Sequence, residues 1–190
     1  TVSYLPHFLS AVIVCGMVRQ LLTVDGGLVN TIINAFGGEP IYFLGSTRFY
    51  RTYYVASGVW QGIGWSSIVY LAAMGNIDTS LYEAAELDGA GIIKKMWYVT
   101  LPALLPIISI TLIVQVGSLL SVGHEKTLLL YSTLNYEVSD IISTYVYREG
   151  LVGMQYSYTA AVDLFTSVVN LVLVLSCNWA AKKMGQEGVW

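Results

Sequence analysis

The sequence predicts an all-α, polytopic helical membrane protein, and three observations carry that reading. Of the 190 residues, 55% are apolar and only 11% charged, with a mean hydropathy of +0.63, whereas ordinary soluble domains carry about 25% charge. The charges are also clustered, with none in residues 1–18, 52–77, 96–124 or 164–181. Runs such as Leu104 to Val116 are continuously apolar, whereas a membrane β-strand alternates over about ten residues. The same composition excludes intrinsic disorder, which needs low hydrophobicity, and a nucleic-acid partner, which needs a basic face. Cys15 and Cys177 both fall in apolar stretches and read as packing residues.

A spanning helix needs about 20 mostly apolar residues. The four gaps therefore predict spans at about 3–22, 52–75, 102–122 and 158–181, within one transmembrane domain covering residues 1–190. The chain starts at Thr1 and enters an apolar segment with no basic leader or cleavage site, so it reads as an internal fragment. After the first span, Leu28, Val29, Ile32, Ile33 and Phe36 recur at helical spacing between two glycine pairs, which predicts a short amphipathic helix at the membrane surface. In the second span, Gly58 and Gly62 form a small-xxx-small pair that predicts close approach of another backbone.

The connection Asn76 to Leu101 is the most informative segment. Ser80 and Glu83 have the spacing of a capping box, which predicts a helix starting near Leu81. Asp88-Gly89 predicts its end, because glycine accepts the left-handed conformation of a helix C-terminus. A second short helical stretch, Ile92 to Val99, leads into Leu101-Pro102 and the third span, whose Pro102 and Pro106 sit where a missing N–H is tolerated. The last connection, His124 to Ser157, carries Val138, Ile141, Ile142, Tyr145 and Val146 at helical spacing and predicts another surface helix. Its tyrosines suit an interfacial belt.

Glu83-Ala84-Ala85, three residues, Gly89, nine residues, then Val99-Thr100-Leu101-Pro102 resembles the EAA loop of permease subunits in binding-protein-dependent ABC importers. Met96 and Val99 depart from the usual pattern by apolar swaps. Glu125 to Leu151 and the upstream segment Gly26 to Leu44 are similar to the carbohydrate-uptake branch, particularly its oligosaccharide and polysaccharide permeases.

The resemblance implies the core fold of an ABC type I importer permease and a six-span subunit of which this chain holds the last four. It implies a cytoplasmic ABC ATPase dimer, a second permease subunit and an extracytoplasmic substrate-binding protein as partners in a bacterial plasma membrane. The loop 76–101 would be the coupling element seated on the ATPase. Glu83 would face a basic ATPase residue, Ala84 and Ala85 would keep the helix thin, Gly89 would set the turn, Asp88 would anchor or cap it, and Leu101-Pro102 would start the following span.

No phosphate-binding G-x-x-x-x-G-K-[ST] loop occurs, so no cofactor is expected on this chain, and ATP and Mg would be used by the partner ATPase. His124-Glu125-Lys126-Thr127-Leu128 begins like a zinc-protease helix but has Leu128 where the second histidine belongs; neither a metal site nor a catalytic residue is expected. Polar groups inside spans are costly in lipid and tend to face a cavity. The pathway candidates are therefore Gln61, Ser66 and Ser67 in the second span, Gln115 and Ser118 in the third, and Asp163, Ser167 and Asn170 in the fourth. Trp60 and Trp65 join them because sugars stack on aromatic faces.

The resemblance places Lys94, Lys95, Lys182 and Lys183 in the cytoplasm and Arg48, Arg51, Lys126 and Arg148 outside, with Arg19 nearby, a tally that runs against the positive-inside bias. The function expected is ATP-driven import of a sugar or oligosaccharide through a pathway of which this chain forms half. Alternatives are the same machine carrying a peptide or an inorganic anion, and an ion-coupled secondary transporter with Asp163 as coupling acid.

Overall fold

The computed structural model describes residues 2–120, 123–183 and 185. Among these, all regular structure is helical. The chain divides into two compact units, Thr1–Trp65 with Ser121–Asp163, and Ser66–Leu120 with Leu164–Trp190.

In the first unit the expected straight crossing over 3–22 is replaced by two pieces. A 3-10 helix, Val2–Phe8, and helix α1, Ala11–Leu22, meet at a bend of 108°. The cause is local: Pro6 lies inside the first piece, and Ser10 adopts an extended conformation whose hydroxyl accepts from the Ile13 N–H and caps a new helix. Helix α2, Leu28–Ala35, matches the expected amphipathic segment. Its apolar residues Leu28, Ile32 and Phe36 stay exposed, as suits a face turned to lipid. Asn30 is buried instead, donating to the carbonyls of Thr23 and Ile41 and accepting from the Ile41 N–H.

The core of this unit is Cys15, Tyr50, Tyr53 and Leu130. Both cysteines are free thiols. Tyr50 and Tyr53 come from helix α3, Thr47–Gly75, and Leu130 from α7, His124–Leu130. The expected close approach at Gly58 and Gly62 occurs elsewhere on α3. A Cβ at Gly62 would meet nothing within 4 Å, whereas one at Gly64 would collide with the backbone of Ser3 and Tyr4. The incoming segment is the 3-10 piece, which lies against Gly64, two residues beyond the motif. Gly64→Ala is accordingly expected to lower the stability of the purified protein by about 1–3 kcal/mol, read as a drop in thermal midpoint.

The surface helix expected across Val138 to Val146 is split into α8, Tyr136–Ser139, and α9, Ile142–Val146. Asp140 breaks it: its carboxylate accepts from the Thr144 hydroxyl at 2.7 Å and pairs with both terminal nitrogens of Arg148 at 3.1 and 3.3 Å. Arg148 also lies over the rings of Tyr136 and Tyr145.

In the second unit, helix α4, Thr79–Leu87, is followed by α5, Ile92–Lys95, a π-helical turn, Met96–Thr100, and α6, Leu101–Gly117. The last three form one 26-residue run, Ile92–Gly117. The expected boundary at residue 101 therefore marks no break in the helix. The π turn shows as a Leu101 N–H bonded to the Met96 carbonyl. It falls just before Pro102, which has no N–H to donate and whose ring would crowd the carbonyl four residues back. Helix α6 ends at Gly117, and the last two residues of the span expected at 102–122 lie outside the described residues.

Tyr70 of α3 and Thr111 of α6 share a hydrogen bond of 3.0 Å. Helix α10, Tyr156–Lys183, completes the chain, and Gly117 admits Val174 of this helix so closely that a Cβ would sit 3.1 Å away. Ile92–Gly117 and Tyr156–Lys183 are each long and apolar enough to cross a membrane, and the bent pair at the N-terminal end makes a third crossing if taken together. Helix α3 is long enough at 29 residues, but its glycine, serine, glutamine and arginine residues dilute its apolar character.

Candidate functional site

The hairpin formed by α4 and α5 is built from short-range chemistry. Asp78 is the N-cap of α4, its carboxylate accepting from the Ser80 N–H at 2.9 Å. This corrects the expected capping box of Ser80 and Glu83: the helix begins at Thr79, two residues earlier, because aspartate caps as well as serine and stands in front of it. Glu83 is left exposed, with no hydrogen bond or ion pair among the described residues.

At the other end Gly89 has a φ of +70°. Its N–H bonds to the Glu86 carbonyl and that of Ala90 to the Ala85 carbonyl, each at 2.9 Å. These two bonds make the paired turn that satisfies the last carbonyls of a helix. Asp88 occupies the C-cap position.

Two side-chain bridges then close the hairpin. Lys95 Nζ reaches Glu86 Oε2 at 2.7 Å, and the Tyr82 hydroxyl meets the Thr100 hydroxyl at 2.9 Å. Around the turn, Leu87 is 90% exposed, Ile92 86% and Tyr98 80%. Large apolar side chains this bare, beside the exposed Glu83, Ala84, Asp88 and Lys94, have the composition of an interaction surface. Ala85 and Leu101 are half-buried and Pro102 is exposed.

The Ser80 backbone N–H, with the Ser80 hydroxyl as a lesser contribution, holds the Asp78 carboxyl below its ordinary value, and Lys95 does the same for Glu86. A depressed carboxyl stabilises the fold above its unfolded pKa, and that contribution fades as pH falls through the folded one. Amide exchange at Ser80, corrected for its intrinsic rate, is thus expected to lose protection below pH 3.8, the ordinary Asp78 value. In Asp78→Asn, which keeps a capping oxygen, that loss with acid should disappear.

The pathway candidates fall in both units. In the first unit, Gln61 donates to the Leu9 carbonyl at 3.0 Å and Trp65 stacks on His7 at 4.5 Å. Both therefore hold the 3-10 piece against α3. Trp60 lines an apolar groove of about 700 Å³ with Val2, Leu5, Phe8 and Met17.

Asp163 lies apart from these, in an open pocket of about 330 Å³ lined by polar and apolar groups together, His124, Ser143, Thr159 and Tyr147 beside Val146 and Leu151. In the second unit Gln115 and Ser118 are exposed near the end of α6, the Ser118 hydroxyl donating to the Gln115 carbonyl. Ser66 is also exposed, and Asn170 has a buried side-chain oxygen with no hydrogen-bond partner.

The family model for the inner membrane component of binding-protein-dependent transport systems matches residues 1–186. The chain belongs to this family. This inner membrane component is 47% identical over 190 residues to the polygalacturonan/rhamnogalacturonan transport system permease protein YteP of Bacillus subtilis, a match covering 100% of the chain and 59% of YteP. Among solved structures it is similar to a chain of a bacterial alginate ABC transporter in complex with an alginate pentasaccharide-bound periplasmic protein. The TM-score there is 0.97 and the identity 41%, over 100% of this chain and 66% of that one. A second structure, of a bacterial ABC transporter involved in import of the acidic polysaccharide alginate, matches at a TM-score of 0.94 and 42% identity, over 96% and 64%.

The inner membrane component thus spans about three fifths of the length of YteP. Sequence reasoning missed Asp78, Tyr82, Glu86, Lys95 and Thr100 as builders of the hairpin. Asp78 was visible as a capping residue. The Tyr82–Thr100 bridge, 18 residues apart across a turn, had no signal in spacing.

Proposed function

We propose that the chain belongs to a permease subunit forming half of the translocation pathway of an ATP-driven importer, and that its cargo is an acidic oligosaccharide delivered by an extracytoplasmic binding protein. The observation that carries this is the hairpin of α4 and α5, closed by two side-chain bridges and continuous with the 26-residue run Ile92–Gly117. A load applied to α4 passes into that run through the two bridges as well as through the short turn at Gly89.

The exposed Glu83, with Ala84 and the bare Leu87 and Ile92, would seat in a groove of a cytoplasmic ATPase, Glu83 facing a basic residue there. Ala85, Gly89, Asp88, Leu101 and Pro102 would set the hairpin's shape and its union with the span. ATP and Mg would be bound by that partner, whose dimer closure would drive the hairpin, and a second permease subunit would complete the pathway. Trp60, Gln61, Trp65, Ser66, Gln115, Ser118, Asp163 and Asn170 would contribute polar and aromatic contacts along it. Relatives that handle polygalacturonan, rhamnogalacturonan and alginate support a cargo bearing uronic acids.

The full-length subunit, co-expressed with its transporter partners, should purify with an ATPase, and proteoliposomes of that complex should take up labelled trigalacturonate only with its binding protein and ATP. Failure to associate with any ATPase, or uptake driven by a proton or sodium gradient without nucleotide, would overturn the reading.

A further inference from the structure

Lys126 is a half-buried cation that no acid pairs with among the described residues. It sits on α7 in the first unit, where its Nζ donates to the Tyr54 carbonyl at 2.9 Å and lies 4.8 Å from the centre of the Tyr54 ring. The Tyr54 hydroxyl is in turn held by α7, accepting from Thr127 and donating to the Gly123 carbonyl. The ion pairs among the described residues join Lys95 with Glu86 and Arg148 with Asp140 and Glu149; Lys126 has none, although Glu125 is its neighbour in sequence. Burial pushes its ammonium below the ordinary lysine value. A second cation stands near: Arg19 donates to the Leu129 carbonyl, and both cations act electrostatically on Cys15.

An ammonium has three donors, and one hydrogen bond to a carbonyl leaves two. Taking a charge partly out of water without a counter-ion costs free energy, so a purely structural tie between α7 and α3 is served better by a neutral donor. Nζ rests against Gly58 of α3, where an added Cβ would crowd it at 3.3 Å, and both Gly58 and part of the Lys126 side chain remain in contact with the surroundings. We infer that Lys126, backed by the Tyr54 ring and beside Gly58, receives the carboxylate of a uronic-acid unit and gives the importer its preference for charged over neutral saccharides.

This inference rests on the proposed acidic-oligosaccharide cargo and goes further by naming the group that reads the charge. A charge-assisted hydrogen bond is about twice as strong as a neutral one, and an uncharged ester in the same position offers no negative charge to the ammonium.

The test measures equilibrium binding of trigalacturonate and of its uncharged methyl ester to the assembled full-length transporter, in nanodiscs of phosphatidylcholine so that no anionic lipid competes. Wild type should bind the acid more tightly than the ester. Lys126→Gln should raise the Kd for trigalacturonate about tenfold while leaving that for the ester within about twofold, and Lys126→Arg should restore the acid.

An unchanged Kd for the acid in Lys126→Gln overturns the inference, and so does an equal loss for both ligands, which would mark a structural tie. Equal wild-type affinity for acid and ester overturns it while leaving the saccharide permease intact. A wild-type transporter that binds neither ligand overturns the inference, whereas the saccharide cargo itself falls only if proteoliposomes supplied with binding protein and ATP take up no trigalacturonate.

Discussion

Gly89→Val in the assembled transporter is expected to abolish ATP-driven uptake, with a loss of at least tenfold and with normal amounts of subunit in the membrane. Gly89 holds a φ of +70°, a conformation that costs an ordinary residue roughly 1–2 kcal/mol and a β-branched one more. The cost falls on one point, because the N–H groups of Gly89 and Ala90 close the last turn of α4. Relieving the strain means unwinding that turn, which displaces Leu87 and Ile92 on either side of it. Gly89→Asn should keep most of the uptake, since asparagine tolerates the left-handed region. Uptake by labelled substrate, against membrane content by immunoblot, decides it; full uptake in the valine variant would mean that the shape of the turn does not matter.

Asn135→Leu should be the most destabilising single change in the first unit, at about 3 kcal/mol. Asn135 is 0% exposed, accepts from the Ser132 N–H at 2.8 Å and donates to the Leu44 carbonyl at 2.9 Å, with a longer contact to the Tyr53 hydroxyl. Leucine fills the space but orphans an N–H and a carbonyl, each worth about 1–3 kcal/mol when buried without a partner. Thermal unfolding of the purified protein in detergent reads this directly. Asn34→Leu, on an exposed position of α2, should stay within about 0.5 kcal/mol.

These two residues also mark what could be read in the sequence and what could not. The helical membrane class followed from the apolar composition, the charge-free gaps and the unbroken apolar runs, and the turn at Gly89 followed from a glycine after an acidic residue, all being signals of composition and local conformation. The interruption at Ser10 had a local signal too, a serine before an apolar run, but the unbroken hydropathy from residue 3 to 22 masked it.

Asn135, Asn30 and Lys126 were invisible for a different reason. Each bonds to carbonyls of segments distant in the chain, Leu44, Ile41 and Tyr54 in turn, and a polar residue in a connection looks the same whether it is solvated or buried. The pathway candidates suffered likewise: Gln61 and Trp65 were singled out for being polar or aromatic in a span, and their contacts turned out to be Leu9 and His7.

The π turn Met96–Thr100 sets the azimuth of everything that precedes it. One surplus residue in a helix advances the chain by about 100° around the axis, so the direction in which α4 projects from the run is indexed by that single insertion. Excising one residue there would leave α4, its cap and the Lys95–Glu86 pair whole while parting Tyr82 from Thr100 and swinging α4 about a quarter-turn off its bearing, like a key cut correctly but presented sideways to the lock.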